Sequence, residues 1–251
     1  MPNPLFLVPA RLRAVVRRVH RPDFFFVNVG ANDGVSNDPI YPFLQTYGWR
    51  GIAVEPVDAV FAELTRNYAR FPGVVCEHAA IACAPRPLYF IASPPGYDRP
   101  WTKQVGTLDP AFLEQTLAGV RTSPLVGPVP ADLEASIVRV EVRCLTFDEL
   151  MAKHGATRVD FINVDAEGLD YEIACDIDLA RWCPAIVTLE TAAMRDDERR
   201  DLEQRFAAHG YVCLGPLDIF SAIWVRGPLV PGRTILALDR LRARLSTALG
   251  W

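Results

Sequence analysis

The sequence lacks three features that would each place the protein in a particular class. No continuous apolar run reaches the ~18 residues that a membrane-spanning helix needs. Basic residues are not in excess: 26 Lys and Arg stand against 30 Asp and Glu for a net charge of −4, which argues against nucleic acid as the main partner. None of the six cysteines belongs to a C-x-x-C pair, so we expect reduced core cysteines in a cytoplasmic protein, without a zinc site or disulfide framework.

The N-terminus also lacks the order of a secretory signal, because its short apolar patch comes before its arginines. Apolar residues recur at helical spacing within residues 5–20 and predict an amphipathic arm that covers the domain. A peripheral contact with a membrane or a partner is the alternative. A second amphipathic helix is predicted over residues 234–249, and the two terminal helices are candidate contacts for a homodimer.

With 251 residues, 50% of them hydrophobic, the chain is expected to form a single α/β domain over residues 1–251. Apolar runs alternate with helical segments, which indicates a mainly parallel sheet covered on both faces. Strands are predicted at 24–29, 51–55, 74–81, 87–91, 137–145, 160–165, 184–190, 211–214 and 219–225. Helices are predicted at 39–47, with Asp38 as N-cap and Pro39 as first helical residue, and at 57–70, 110–117, 147–154, 171–180 and 196–209.

Residues 92–136 interrupt this alternation and are rich in proline, glycine and polar residues. A connection of this length inside a compact domain is usually a functional lid or a disordered loop. We interpret it as a lid that carries an acceptor site, because residues 97–109 offer the aromatic and amide groups that stack on sugar faces and bond hydroxyls.

The segment FFFVNVGANDG, Phe24–Gly34, carries the clearest functional signal. An apolar run stops at a glycine, which lets a buried strand turn sharply and places bare backbone next to a ligand. About one strand further on, a second apolar run ends in Glu55. A glycine turn followed by an acid is typical of an adenosine-type cofactor site, where the acid accepts hydrogen bonds from ribose hydroxyls.

Three predicted parallel strands end in acids: Glu55, Asp165 with Glu167 just beyond it, and Glu190. Ligands of open parallel sheets bind at this edge, and a buried unpaired carboxylate there is costly. Together these acids predict a cation, a set of hydroxyls, or both. The alternative is that each acid caps the next helix, and this alternative is strongest for Glu167 and Asp170.

These motifs resemble those of the FkbM family of S-adenosylmethionine-dependent methyltransferases. VNVGANDG, which begins at Val27, resembles the family's D-V-G-A-N-x-G, with Asn28 where an acid is common. DFINVDAEGLDYEI at 160–173 resembles D-x-I-K-I-D-V-E-G-x-E, with Asn163 where lysine is frequent, which we interpret as a packing detail. Further matches in the family's order are VEP at 54–56, AAIA at 79–82, LTFDEL at 145–150 and IVTLE at 186–190.

The resemblance implies a class I methyltransferase fold, a seven-stranded mainly parallel sheet whose last strand is antiparallel. It implies S-adenosylmethionine as cofactor and O-methylation of a hydroxyl on a sugar, glycan, glycosylated compound or other secondary metabolite. The cofactor contacts expected on this basis are Asn28, Gly30, Ala31, Asn32, Asp33, Gly34, Glu55, Pro56, Ala80 and Asp165.

An alcohol is a poor nucleophile, so a base or a metal is needed. We expect Asp165 and Glu190 to be catalytic, with Asp165 as base, or both as ligands of Mg²⁺, which prefers oxygen. His78, His154 and His209 are weaker candidates because none stands beside a strong motif. The predicted acceptor contacts are Tyr97, Trp101, Gln104, Thr107 and Glu167.

Two other functions stay open at this point. A nicotinamide-dependent oxidoreductase also uses a glycine turn and a ribose acid, although its G-x-G-x-x-G motif would need a glycine at position 32. An inactive methyltransferase-like scaffold would bind a partner through the terminal helices. The Ala-, Arg- and Pro-rich composition is typical of a GC-rich bacterial genome.

Overall fold

The structure is a computed structural model that describes residues 8–94, 96–97, 99–123 and 126–229. The helix predicted over 234–249 lies outside the described residues, so the homodimer contact that depends on it stays a prediction. No helix within the described ranges is long and apolar enough to cross a membrane.

Twelve strands are present in the described part of the chain. They are β1 Phe25–Val29, β2 Arg50–Val54, β3 Val74–Glu77, β4 Ala80–Ile81, β5 Pro87–Ile91, β6 Gly106–Thr107, β7 Ile137–Glu141, β8 Cys144–Leu145, β9 Phe161–Val164, β10 Ile186–Glu190, β11 Tyr211–Pro216 and β12 Ser221–Arg226. The α-helices in the same ranges are α1 Ala10–Val19, α2 Tyr41–Tyr47, α3 Asp58–Tyr68, α4 Pro110–Thr122, α5 Phe147–Lys153, α6 Asp170–Asp176, α7 Leu179–Trp182 and α8 Asp196–Ala208.

Seven strands form the main sheet in the order β11-β12-β10-β9-β1-β2-β3. The pairs along β10-β9-β1-β2-β3 are parallel, and β12 runs antiparallel to both β10 and β11. The central strands are apolar on both faces because helices cover both sides, and Ile52, Val27 and Ile162 lie side by side in register. The predicted class I methyltransferase fold, with an antiparallel last strand, is confirmed.

The predicted N-terminal arm is the helix α1. Its apolar residues Leu12, Val15 and Val16 are fully buried against the sheet in a cluster that includes Phe26, Trp49 and other residues. The helix therefore covers the domain, and these three residues are not exposed for the alternative membrane contact.

Two predicted strands are each divided in the structure. The run 74–81 leaves the main sheet after Glu77, and its end, β4, pairs with β8 in a separate two-stranded sheet. The run 137–145 divides into β8 and β7, and β7 pairs with β5 in a three-stranded sheet, β6-β5-β7. Charged or polar residues stand at both breaks, Glu77 and His78 in the first run and Glu141 and Arg143 in the second, and these are the signal of a change of partner that the strand prediction missed.

Two predicted helix boundaries are wrong for reasons of hydrogen bonding. The Asp38 carboxylate accepts from the backbone N–H groups of Ile40 (2.6 Å) and Tyr41 (2.9 Å), so it closes a turn before α2, and Pro39 precedes the helix. The predicted helix 171–180 is divided because Asp178 accepts from the N–H groups of Ala180 and Arg181 and begins α7. Thr146 is the predicted N-cap of α5, in a reciprocal capping box with Glu149.

The described part of the 92–136 segment is folded. It contains 3₁₀ turns at Pro100–Lys103 and Leu133–Ser136, the strand β6 and the helix α4, which runs five residues beyond its predicted end. Its apolar residues form a small core of their own. The segment is therefore an ordered subdomain within these ranges and not a disordered loop.

The prediction that the cysteines lie in the core is wrong. All six thiols are free, but Cys83, Cys183 and Cys213 are exposed and the other three are half-buried.

Candidate functional site

The glycine turn after β1 is held against two neighbouring strand ends. The N–H groups of Gly30 and Ala31 both donate to the carbonyl of Val54 at the end of β2 (3.0 and 2.9 Å). Gly30 has φ +73°, and a Cβ added there would lie 1.7 Å from the carbonyl oxygen of Asp165. Only glycine allows this approach, which joins the turn to the end of β9.

Asp33, a predicted cofactor contact, is engaged within its own loop. Its carboxylate accepts from the N–H groups of Val35 (2.8 Å) and Ser36 (2.7 Å) and from the Ser36 hydroxyl (2.7 Å). Burial alone would raise the pKa of Asp33, but these donors hold it below its ordinary value. The side chain shapes the loop, which leaves the backbone of the turn as the cofactor-facing part.

Glu55 is buried directly after β2 and connects that strand end to the turn. Its Oε2 accepts from the N–H of Asn32 (3.0 Å) and its Oε1 from the N–H of Val57 (2.8 Å). Burial raises the pKa of Glu55 to about 7 despite these donors, and the charge of Asp165 adds to the shift. A carboxylate has about four acceptor positions, so Glu55 keeps capacity for ligand hydroxyls.

Asp165 and Glu190 lie at the ends of the neighbouring strands β9 and β10, and each affects the pKa of the other. Burial raises the pKa of Asp165 to about 6, with a contribution from the charge of Asp218. Burial also raises the pKa of Glu190 to about 9, and the Asp165 charge adds to it. Protein atoms surround Asp165 on several sides, but the residue is still exposed to solvent. A substrate can therefore reach it.

The charge of Asp165 acts on Glu190, and the Oε2 atom of Glu190 is buried with no hydrogen-bond partner among the described residues. A proton held by Glu190 would let its carboxyl donate to the neighbouring Asp165 carboxylate, and the higher pKa of Glu190 favours this arrangement.

The loop after Asp165 is backbone-strained and fixed from two sides. Glu167 has φ +50°, an uncommon conformation for a residue with a side chain. The buried Thr107 hydroxyl donates to the Glu167 carbonyl (2.6 Å), and a Cβ on Gly168 would lie 2.8 Å from the Phe112 ring. Asp170 accepts from the N–H groups of Ala166 (3.1 Å) and Gly168 (3.3 Å).

Two further carboxyls therefore lie beside the Asp165–Glu190 pair. Burial raises the pKa of Glu167 to about 8, with Asp165, Asp170 and Glu55 adding charge repulsion. Burial and Asp165 raise the pKa of Asp170 to about 7. The capping alternative does not describe Asp170, because it is the first residue of α6 and its buried carboxylate accepts from the loop ahead of the helix instead of from the N–H groups of the first turn.

Several predicted acceptor contacts lie inside the 92–136 subdomain. Thr107 is 1% exposed, and its hydroxyl donates to the Glu167 carbonyl and accepts from the Asp109 N–H, so its predicted role as a substrate contact stays untested and would require this hydroxyl to leave its partners. Tyr97 is 9% exposed and packs edge-on against Trp101, whose ring is partly buried in the small core. Trp101, Gln104 and Glu167 are half-buried and are the predicted contacts that stay accessible in part.

Asn28 is also turned into the protein. It is 1% exposed, donates to Asp38 (2.8 Å) and accepts from the side chain of Asn163 (2.8 Å), which in turn accepts from Thr188 (2.6 Å). Asn28, Asn163 and Thr188 thus form a buried chain of hydrogen bonds across neighbouring strands. The Asn28 amide, predicted to meet the cofactor, is used within the protein. Asn163, interpreted as a packing detail, is a hydrogen-bonding member of this chain. Asn28, Asn163 and Thr188 occupy paired positions on the neighbouring strands β1, β9 and β10. Aligning the three predicted strands side by side would have brought these residues together.

A cavity of about 180 Å³ lies beside Glu55. Its walls include Pro56, His78 and Ala79 at the ends of β2 and β3 and the apolar side chains of Leu88 and Phe90. Ala80, a predicted cofactor contact, is buried in β4 next to this cavity. A larger cavity of about 820 Å³ lies between α4 and α6 and is lined by none of Glu55, Asp165 and Glu190.

The candidate histidines have structural partners. His78 Nε2 lies 3.1 Å from the Pro56 carbonyl and 3.0 Å from the Asp58 carboxylate. His154 pairs with the buried Glu77 (2.8 Å), and His209 Nδ1 lies 2.9 Å from the Arg205 carbonyl at the end of α8.

The magnesium hypothesis is not supported. Within the described ranges, no group of three or more His, Cys, Asp or Glu residues is arranged to hold a metal ion.

Comparisons with known proteins point to one family. The family model "Methyltransferase FkbM domain" matches residues 28–213. Among proteins with curated descriptions, none matches this sequence.

Solved structures of methyltransferases are similar to this chain. An FkbM methyltransferase from Methylobacillus flagellatus KT has a TM-score of 0.45 at 12% identity, over 82% of this chain and 45% of that one. Aeropyrum pernix fibrillarin, in complex with S-adenosyl-L-methionine, has a TM-score of 0.41 at 10% identity over 86% and 75%. A precorrin-6y C5,15-methyltransferase from Geobacter metallireducens GS-15 has a TM-score of 0.36 at 13% identity over 85% and 86%.

Proposed function

Because the chain belongs to the FkbM methyltransferase family, we propose that it transfers the methyl group of S-adenosylmethionine to a hydroxyl of a sugar, glycan or glycosylated secondary metabolite. Methyl transfer is the activity of the family. The oxygen acceptor and its sugar character come from the family resemblance of the motifs and are the part that the experiment below tests.

The observation that carries the proposal is the concentration of unpaired carboxyls around the glycine turn. The charge of Asp165 raises the pKa values of Glu55, Glu167 and Glu190, and within the described ranges no Lys, Arg or His forms an ion pair with any of these four carboxyls. Such a site favours a cationic ligand. S-adenosylmethionine carries a sulfonium and an ammonium, whereas the pyrophosphate of a nicotinamide cofactor would be repelled.

The residues present fit this cofactor part by part. The backbone of the glycine turn would lie against it, and Glu55, which fixes that turn through the Asn32 N–H, would accept hydrogen bonds from the ribose hydroxyls. The cavity at Pro56, Ala79 and Phe90, whose lining also includes the charged residues Asp58 and Arg143, would take the adenine ring. The carboxyls beyond β9 and β10 would lie toward the cationic end.

The bound cofactor would supply a methyl group on a sulfonium, and its transfer is an in-line displacement that depends on alignment. Asp165 would accept the proton of the acceptor hydroxyl, because its lower pKa leaves it ionised near neutral pH while Glu190 keeps its proton. The Thr107 contact holds the backbone that follows Asp165 in place.

The test has two steps. Calorimetry should show that S-adenosylmethionine binds tightly and NAD does not. Tight binding of NAD would contradict the proposal. A screen of labelled methyl transfer to mono- and oligosaccharides should then identify an acceptor. Tight cofactor binding without transfer to any hydroxyl would favour the inactive scaffold.

A further inference from the structure

Two large apolar side chains are exposed next to the acid pair, at the tip of the hairpin β11–β12. Ile219 is 84% exposed and Phe220 is 55% exposed. The other exposed large apolar residues among those described, Val35, Val75 and Val212, are isolated and less exposed. Scattered single residues of this kind are normal on protein surfaces, whereas an adjacent pair beside a candidate active site indicates a contact.

The position of the tip relative to the acid pair is set by backbone hydrogen bonds. Because β12 is antiparallel to β10, its first residue, Ser221, lies opposite Glu190. The Phe220 carbonyl accepts from the N–H groups of Thr191 (2.8 Å) and Ala192 (3.0 Å), which directly follow Glu190. The tip therefore borders the carboxyl edge of the sheet.

Asp218 ties the same turn to the catalytic carboxyls. It accepts from the N–H groups of Phe220 (2.8 Å) and Ser221 (2.7 Å), and its charge acts on Asp165. The Asp218 side chain therefore orders the turn that carries Ile219 and Phe220. The turn lies close enough to Asp165 for the charge of Asp218 to act on it.

We propose that Ile219 and Phe220 bind an apolar group of the methyl acceptor, so that the acceptor carries its hydroxyl next to an alkyl or aryl substituent. This inference rests on the proposed function, since the site beside the tip is where the hydroxyl would react. An anionic membrane surface fits less well, because Asp218, Asp165 and Glu190 would repel it.

The probes are methyl glucoside and octyl glucoside, used below the micelle concentration in the presence of S-adenosylmethionine. Burying an alkyl chain against two apolar side chains should make octyl glucoside bind the wild-type protein at least about tenfold more tightly. The variant I219S/F220S should lose this preference. The matched control V212S changes an exposed apolar residue near the other end of the hairpin and should keep it.

Equal binding of the two glucosides by the wild-type protein would overturn the inference, as would a preference that persists in I219S/F220S. If the double variant has a lowered Tm, the single variant I219S, at the more exposed position, should show a partial loss of preference with an unchanged Tm. Cofactor binding is measured on the same samples. A wild-type protein that fails to bind S-adenosylmethionine contradicts the proposed function, whereas normal cofactor binding without an octyl preference contradicts only this inference.

Sedimentation with phosphatidylcholine vesicles separates an acceptor contact from a membrane contact. Loss of vesicle binding in I219S/F220S, with the octyl preference intact, would assign the tip to a membrane and overturn the inference.

Discussion

Asp165 and Glu190 have different expected protonation states although they lie at the ends of the neighbouring strands β9 and β10. Asp165 has a pKa of about 6 and Glu190 a pKa of about 9, so near pH 7 the first is mostly ionised and the second holds the proton. The rate of methyl transfer should therefore rise with pH through about pH 6, as the base ionises. Asp165→Asn should lower kcat by about 10²–10⁴-fold, the usual contribution of a general base.

Glu190→Gln is the matched variant for this prediction. Its amide can still donate to Asp165 but cannot titrate, so most of the activity and the rise near pH 6 should remain. Steady-state kinetics across pH 5–9 make the comparison. Equal losses in the two variants, or an unchanged kcat in Asp165→Asn, would contradict the assignment of Asp165 as base.

The strained loop between β9 and α6 depends on the 92–136 subdomain. Thr107 in β6 contributes the hydroxyl that holds the Glu167 carbonyl, and Phe112 in α4 fills the space over Gly168. The subdomain thus positions the residues next to Asp165. Thr107 is a positioning residue, because its hydroxyl reaches the loop backbone and is hidden from a ligand.

Thr107→Val should leave the Glu167 carbonyl without its donor, cost about 1–3 kcal/mol of stability and reduce kcat more than it changes KM. Thr102→Val is the control, because the Thr102 hydroxyl is also buried in this subdomain but donates to the Arg99 carbonyl (2.8 Å). Thermal unfolding and steady-state kinetics should show similar losses of stability and a fall in kcat for Thr107→Val alone. A parallel fall in both variants would mean that the subdomain acts through its overall stability.

The accumulated carboxyls should make the stability of the whole cofactor-free protein depend on pH. Glu55 and Asp170 are buried with pKa values of about 7, and Glu167 and Glu190 have values of about 8 and 9, all above those of an unfolded chain. The folded state then binds more protons than the unfolded state, so stability falls as pH rises from about 5 to 9. Asp33 and Glu77, whose pKa values are lowered, act in the opposite direction and lose their contribution on acidification.

Thermal unfolding at a series of pH values measures this effect. Tm should be higher near pH 6 than near pH 9, and S-adenosylmethionine should raise Tm most at high pH, where the ionised carboxyls attract its positive charges. A Tm that rises steadily from pH 6 to pH 9 without cofactor would show that the carboxyls have found other partners.

Much of the architecture follows from short-range patterns in the chain. Apolar runs predict the strands of the main sheet, and the Thr146–Glu149 capping box predicts the start of α5. The glycine turn and the acids at 55, 165 and 190 lie at the strand ends where the sequence places them. Each of these features depends on residues close together in the chain, which is why the sequence alone is sufficient for them.

The tertiary structure decided which polar side chains are free to meet a ligand. Asn28 is occupied by Asn163, 135 residues away, and Thr107 by the Glu167 carbonyl, 60 residues away. Likewise, the exposure of Ile219 and Phe220 beside Glu190 follows from the pairing of β12 with β10. A residue type specifies what a side chain can bond, but only the packing of distant segments determines whether a protein group already occupies it.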